Sequence, residues 1–317
     1  MRDLLRRLVA GELSEDQAIA ELRRMQLDEL GGRARLDLGR YLRRGIPEVI
    51  LAAGKSPRET SRLVLAMADR HGQGLASRLT EAHESALREA ADGAGMSVIP
   101  YHASARVLRE GFSAELVGAR VAILTAGTSD IPVADEARMV VEACGIESRL
   151  DADLGVAGLH RFVGPLAAVL EWGADALVVA AGMDGVLPGL VAGLIDIPVI
   201  GLPVSTGYGR GGAGEAALTT MLQSCSTGLV VVNIDNGVGA GAAAVLIAAR
   251  AAQGRRRGLT TAKTANASAK PIAKRSNQGA IARAASAAPG IAKTTENART
   301  AARTYPSSHG KPRRGRP

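Results

Sequence analysis

The chain has 317 residues, 46% of them hydrophobic, which supplies a sizeable core and allows two domains. Aromatic residues make up only 2%, so that core has to be built from Val, Leu, Ile and Ala. No run of about 18 apolar residues is present to cross a membrane, charge interrupts MRDLLRRLVAGELSEDQ too soon for a signal-peptide apolar region, and two cysteines are too few for a disulfide framework, so a soluble protein of the reducing cytoplasm is the simplest expectation.

The formal charge of +8 is unevenly spread. Residues 255–317 carry 15 Lys/Arg against one acid, Glu296, so the rest of the chain is mildly acidic at −6. The basicity belongs to a tail.

Residues 1 to about 30 read as helical, with capping-box spacing from Ser14 to Gln17. Short extended runs follow at Ala34 to Leu38 and Glu48 to Leu51. Ser56, Pro57 and Glu59 form a strong helix start, and that helix should reach His71 before Gly72. A further helix is predicted over Leu75 to about Ala91, then an extended stretch at Ser97 to Tyr101. Residues 1–115 therefore read as a small α+β domain.

From about Val117 the pattern becomes regular. Five apolar runs, VAILTAG, IESRLDA, ALVVAAG, PVIGLPV and LVVVNID, alternate with helical segments at Pro132 to Cys144, Leu159 to Trp172, Leu187 to Ile195, Gly214 to Ser224 and Gly239 to Ala252. Runs without polar alternation suit strands buried on both faces, so residues 116–253 are predicted to form a five-stranded parallel α/β sheet with helices on both sides. Gly189 and Gly193 each weaken their helix by roughly 1 kcal/mol, which implies close packing of that helix on something. After Gln253 the composition turns to Ala, Lys, Arg, Ser and Thr and predicts disorder over 254–317. Such a tail is either a solvated basic segment or a weak nucleic-acid contact through phosphates. Tyr305 alone is no stacking platform.

Every strand of the second domain ends in small and polar residues, and parallel geometry gathers those ends on one edge, where α/β ligands sit. The first end offers Gly127, Thr128, Ser129 and Asp130: either an ordinary N-cap, or a cradle whose hydroxyls and amides hold a phosphate while the acid takes a sugar hydroxyl. The second brings Asp153, His160 and Arg161, with His160 as a proton-transfer group or a mere helix start. The third brings Gly182 and Asp184, the fourth Ser205, Thr206, Tyr208 and Arg210, the fifth Asn233, Asp235 and Asn236. Gly207, Gly209 and Gly212 match G-x-G-x-x-G, with Asp235 at ribose spacing beyond. They fall on the fourth strand rather than the first, so NAD as a redox cofactor is not expected. Cys144 reads as core. Cys225 is a buried small residue or a nucleophile activated by a cation such as Arg210. The five His show no metal-ligand spacing.

Taken together, AGTSD, GVAGLHR, AGMDGVLPGLVAGL, PVIGLPVS and NIDNGVGAGAAA resemble the class I phosphoribosylaminoimidazole carboxylase (PurE) domain, of flavodoxin-like, three-layer form. RRGIPEVILAAGKSPRE, STGYGRGG and SCSTGLVVVNIDNG are similar to the LarB branch, which acts in making the nickel-pincer nucleotide cofactor of lactate racemase. The resemblance covers roughly residues 30–250.

It implies carboxylation of nicotinic acid adenine dinucleotide at C5 of the pyridinium ring with CO2 or bicarbonate. Hydrolysis of the phosphoanhydride would then give AMP and pyridinium-3,5-biscarboxylic acid mononucleotide. It further implies Mg2+ on the pyrophosphate, with Asp130 or Asp153 helping to hold it, and a homo-octamer. Cys225 matches the family cysteine, Asp184 the acid of A-G-M-[E/D]-G, and Thr128, Ser129 and Asp130 the phosphate/ribose stretch; Asp153 and His160 fall in the second-strand motif. An alternative is a PurE-type aminoimidazole ribonucleotide carboxylase or mutase, which needs no thiol. A third is a non-catalytic oligomeric scaffold whose tail binds nucleic acid.

Overall fold

The computed structural model describes residues 2–24, 27–30, 34–37 and 40–268. Helices α1 (Arg2–Val9) and α2 (Glu15–Arg24) open the chain. The capping box forms: the Gln17 amide donates to Ser14 Oγ at 3.2 Å, and the Ser14 amide to Gln17 Oε1 at 2.9 Å. Helix does not persist to residue 30, because β1 (Leu27–Leu30) pairs antiparallel with β2 (Ala34–Asp37).

After α3 (Arg40–Arg44) come β3 (Val49–Leu51), α4 (Pro57–His71), β4 (Gln73–Ser77), α5 (Glu81–Gly93), β5 (Met96–Tyr101) and β6 (Ser104–Arg109). The four strands from β3 on make a sheet in the order β3-β4-β6-β5, parallel between β3 and β4 and antiparallel elsewhere. Ser56 caps α4 by accepting from the Glu59 amide at 3.2 Å, and Gly72 ends it in the left-handed region at φ 81°. The helix predicted from Leu75 is wrong at its start. Residues 73–77 are the fully buried strand β4. Gly74 lets it lie against α4, since a Cβ there would meet the Val64 carbonyl oxygen at 2.1 Å. Helix resumes only after Thr80, which accepts from the His83 amide.

The second half runs β7 (Arg120–Thr125), α6 (Ile131–Ala143), β8 (Glu147–Asp151), α7 (His160–Trp172), β9 (Ala176–Ala181), α8 (Val186–Ala192), β10 (Val199–Pro203), α9 (Glu215–Leu222), β11 (Leu229–Val231) and α10 (Gly237–Ser268). All five strands are parallel, in the order β11-β10-β9-β7-β8, which is the flavodoxin-like arrangement. Every residue of β9 and β10 is buried, which is why those runs lack alternation. One face packs on α6 and α10, the other on α7, α8 and α9. Helix α6 also supports the first sheet, since Met139 and Ala143 pack with Leu75 of β4 and Tyr101 of β5.

Gly189 and Gly193 are explained within the chain. A Cβ on Gly189 would lie 2.8 Å from Ser224 Oγ, one on Gly193 would lie 3.3 Å from Ser226 Oγ, and Ser226 Oγ donates to the Gly189 carbonyl at 2.7 Å. Helix α10 continues past Gln253, where composition predicts loss of order. Arg255 anchors it by pairing with Asp175 and donating to the Gly118 carbonyl at 3.2 Å. The tail beyond Ser268, with Tyr305, lies outside the described residues. Among the described residues no helix is long and apolar enough to cross a membrane.

Candidate active site

In this sheet order the chain moves off in opposite directions from β7 and β9, so the crevice at their carboxyl ends is the topological switch point. A cavity of about 340 Å³ opens there. The ends of β7, β9 and β10 and the loop after β8 all contribute to its wall, through Ser129, Asp184, Thr206 and Gly155 among others.

Asp130 is the hub that holds these ends together. Its Oδ2 accepts from the Gly127 amide at 2.9 Å and its Oδ1 from Thr206 Oγ1 at 2.9 Å, with the Gly182 amide a third donor. Burial raises its pKa above the usual carboxylate value, while these donors pull it down. Both carboxylate oxygens accept from the protein, so Asp130 positions the strand ends around the cavity. Gly182 has to be glycine for this, since a Cβ would stand 2.4 Å from Thr206 Oγ1.

Thr128 and Ser129 form the exposed turn that leads into α6, and Ser129 lines the cavity. Asp184 is exposed on the cavity wall ahead of α8, where its Oδ1 accepts from the Val186 amide at 3.4 Å. Tyr208 lines the cavity and is 80% exposed. Met183, which sequence reasoning passed over, lines it at a left-handed φ of 46°.

Other predicted residues lie elsewhere. His160 is the exposed first residue of α7 and is not among the lining. Asp153 pairs with Arg161 at 2.9 Å, also outside the lining. Ser205, Asn233 and Asp235 sit across the β10 loop. Asp235 Oδ1 accepts from the Ser205 amide at 2.9 Å, and Asn233 and Asp235 line a separate cavity of about 420 Å³. That cavity also contains Arg78 and Glu136, both missed from sequence.

Cys225 is an exposed free thiol in the turn between α9 and β11. Its neighbours Ser224 and Ser226 pack on the middle and the end of α8, whereas Asp184 precedes that helix. At 1.5 Å per residue this sets the thiol on the order of 10 Å along α8 from Asp184. Asp184 thus lies at the start of α8, and the Cys225 segment lies against its middle and end. Arg210 precedes α9 and Cys225 follows it. Cys144 is core, as read: it is 6% exposed, and burial pushes its thiol up to about 12.

The described residues include no group of three His, Cys, Asp or Glu placed to hold a metal ion. Asp130 and Asp153, the residues considered for Mg2+, are engaged by protein donors and by Arg161. Among the described residues the side chains at hand do not form a cage for the ion.

Comparison with known proteins matches residues 27–111 to the LarB/PurE-like N-terminal domain and residues 120–269 to the AIR carboxylase family. An uncharacterized protein of Methanocaldococcus jannaschii is 38% identical over 251 residues, which span 78% of this chain and 96% of that protein. The N5-carboxyaminoimidazole ribonucleotide mutase of Thermotoga maritima is 29% identical over 131 residues, 40% of this chain and 74% of the mutase.

Proposed function

The chain belongs to the LarB family of carboxylase-type enzymes, with a LarB-type N-terminal domain joined to a PurE-type AIR carboxylase domain. From that premise we propose that it carboxylates nicotinic acid adenine dinucleotide at C5 and hydrolyses the phosphoanhydride, for nickel-pincer cofactor synthesis. The observation that carries this reading is the exposed thiol of Cys225. Carboxylation of aminoimidazole ribonucleotide uses a carbon that is already nucleophilic and leaves such a thiol without a task.

A pyridinium ring is too electron-poor to attack CO2. Addition of the Cys225 thiolate to a ring carbon forms a C–S bond and gives a neutral dihydropyridine, enamine-like at C5. C5 then forms the new bond to CO2. Asp184 takes the C5 proton, the electron pair returns to the ring, and the thiolate departs. This is covalent catalysis, which divides one difficult step into easier ones. Water attack on the phosphoanhydride releases AMP. The 3,10-turn hydroxyls and amides at Thr128 and Ser129 suit the nicotinate mononucleotide phosphate, at the start of α6.

The separation of Cys225 from Asp184 has a consequence for this scheme. The thiol that serves one cavity comes from a neighbouring copy, in keeping with the octamer that the resemblance implies. The test is mass spectrometry after incubation with the dinucleotide, bicarbonate and magnesium. AMP and a doubly carboxylated mononucleotide are expected; unchanged dinucleotide, where a known relative turns it over, sinks the proposal.

The similarity to the Thermotoga mutase favours a second reading, an aminoimidazole ribonucleotide carboxylase or mutase. Cys225→Ala separates the two, since that chemistry survives loss of the thiol.

A further inference from the structure

The larger cavity, of about 420 Å³, lies between the strand ends of the first sheet and the loop from Asn233 to Asn236. We propose that it is a second subsite, which takes a nucleoside 5′-monophosphate and thus the adenylate half of the dinucleotide. This rests on the dinucleotide reading above.

Its lining combines apolar and polar groups from both sides. Val49, Leu51 and Ala53 from the first sheet, with Ile234 and Val238 opposite, are apolar, and Leu51 is 47% exposed. A purine face buries well on such a wall. The polar lining is Arg78, beside β4, with Asn233, Asp235 and Asn236 of the facing loop. Arg78 is exposed, and a guanidinium suits phosphate in a fork of two N–H bonds. Asn233 Oδ1 accepts from the Ile234 amide at 2.9 Å, and Asn236 Oδ1 from the Gly239 amide at 2.8 Å. With those oxygens spent, what the two amides offer a ligand is N–H donors. Asp235 uses Oδ1 on Ser205, which leaves Oδ2 as the acceptor for a ribose hydroxyl. Glu136 is turned to the protein: its Oε2 accepts from the Val238 amide at 3.1 Å.

Two observations set this cavity apart from an accidental gap. Arg78 and Asp235 both hold left-handed backbones, at φ 57° and 54°, which non-glycine residues adopt at a cost and which cluster at ligand sites. They are tied to each other, Arg78 Nη2 donating to the Asp235 carbonyl at 2.7 Å. The cavity also adjoins the first one through consecutive residues: Ser205 is bonded to Asp235 on this side, and Thr206 to Asp130 on the other. A dinucleotide laid over that link places one nucleotide on each side.

Calorimetric titration of the full chain with AMP, and separately with nicotinic acid mononucleotide and inorganic phosphate, tests this without turnover. AMP should bind, phosphate more weakly. Arg78→Gln should weaken AMP at least tenfold and leave nicotinic acid mononucleotide within twofold. Ala53→Trp, which fills the apolar wall and keeps the guanidinium, should also weaken AMP tenfold, and it covers the case in which Arg78→Gln does not fold. Absence of AMP binding to the unaltered chain, AMP binding indifferent to both substitutions, or equal loss of both mononucleotides overturns the subsite. AMP binding that depends on Arg78, in a protein that yields no carboxylated product, overturns the dinucleotide turnover instead.

Discussion

Thr206 donates its hydroxyl to Oδ1 of Asp130 at 2.9 Å, and so ties the end of β10 to the end of β7 beside the switch-point cavity. Burial nonetheless holds the Asp130 pKa above the ordinary 3.8. An acid whose folded pKa is raised favours folding most while protonated, below its unfolded value, and that contribution is lost as pH rises through the folded value. Removing one donor to the carboxylate moves the folded value further up. Thr206→Val is therefore expected to cost about 1 kcal/mol at neutral pH and less in acid below the unfolded value. Urea unfolding at the two pH values checks this; an equal cost at both would remove the carboxylate from the account.

Gly182→Ala attacks the same link by sterics. Its Cβ would sit 2.4 Å from Thr206 Oγ1 and 3.2 Å from Asp130 Oδ1, so the strand ends have to part. Overpacking of this kind costs about 1–3 kcal/mol. Binding of nicotinic acid mononucleotide should fall more steeply than stability, because the groups displaced line the cavity. Calorimetry on the folded variant reads that directly, and affinity equal to the parent would show that the link does not shape the cavity.

The parallel sheet was legible because its central strands β7, β9 and β10 are buried on both faces. VAILTAG, ALVVAAG and PVIGLPV declare themselves without help from tertiary contacts. The capping residues Ser14 and Ser56 are local signals too, and each stands at a helix start. β4 was not legible. Its Gly and Ala residues carry little strand propensity, and what makes QGLAS a strand is pairing with β3 and β6, which lie far off in sequence. Reading it as helix hid Arg78 on a helix surface, and with it the second cavity. Of the strand-end residues, Ser129, Asp130, Asp184, Thr206 and Tyr208 line one cavity and Asn233, Asp235 and Asn236 another, while Asp153 and His160 line neither, a division that depends on how the first sheet docks. Cys225 was recognised by motif, and its place beside α8 follows from the packing of Ser224 and Ser226 on Gly189 and Gly193.

Docking of the first sheet onto α6 gives a further test. Tyr101 is 2% exposed, and its hydroxyl donates to Glu142 Oε2 at 2.5 Å; Ser148 Oγ donates to the other oxygen at 2.6 Å. Burial and the Glu142 carboxylate raise the phenol pKa, so it stays a donor throughout the working range. Tyr101→Phe is expected to cost about 1–2 kcal/mol. The double variant with Ser148→Ala should cost a different amount from the sum, since both hydroxyls serve one carboxylate. Thermal melts of the four proteins measure the difference; strict additivity would mean the carboxylate is satisfied from elsewhere.

The number of chains that one reaction requires can be counted. Asp184 stands ahead of α8, and the segment that carries Cys225 packs toward that helix's far end; both side chains face solvent. If the thiol of one copy serves the cavity of another, Cys225→Ala and Asp184→Asn are each inactive alone. Denatured together and refolded as a mixture, they should regain about a quarter of the parent turnover, because one pairing in four joins an intact thiol to an intact acid across a symmetric interface. Titration of free thiol in each preparation controls for oxidation, and size-exclusion chromatography for assembly. A mixed oligomer that forms in normal yield and remains inactive would show that both groups act within one chain, and the present placement of Cys225 would then have to change before reaction.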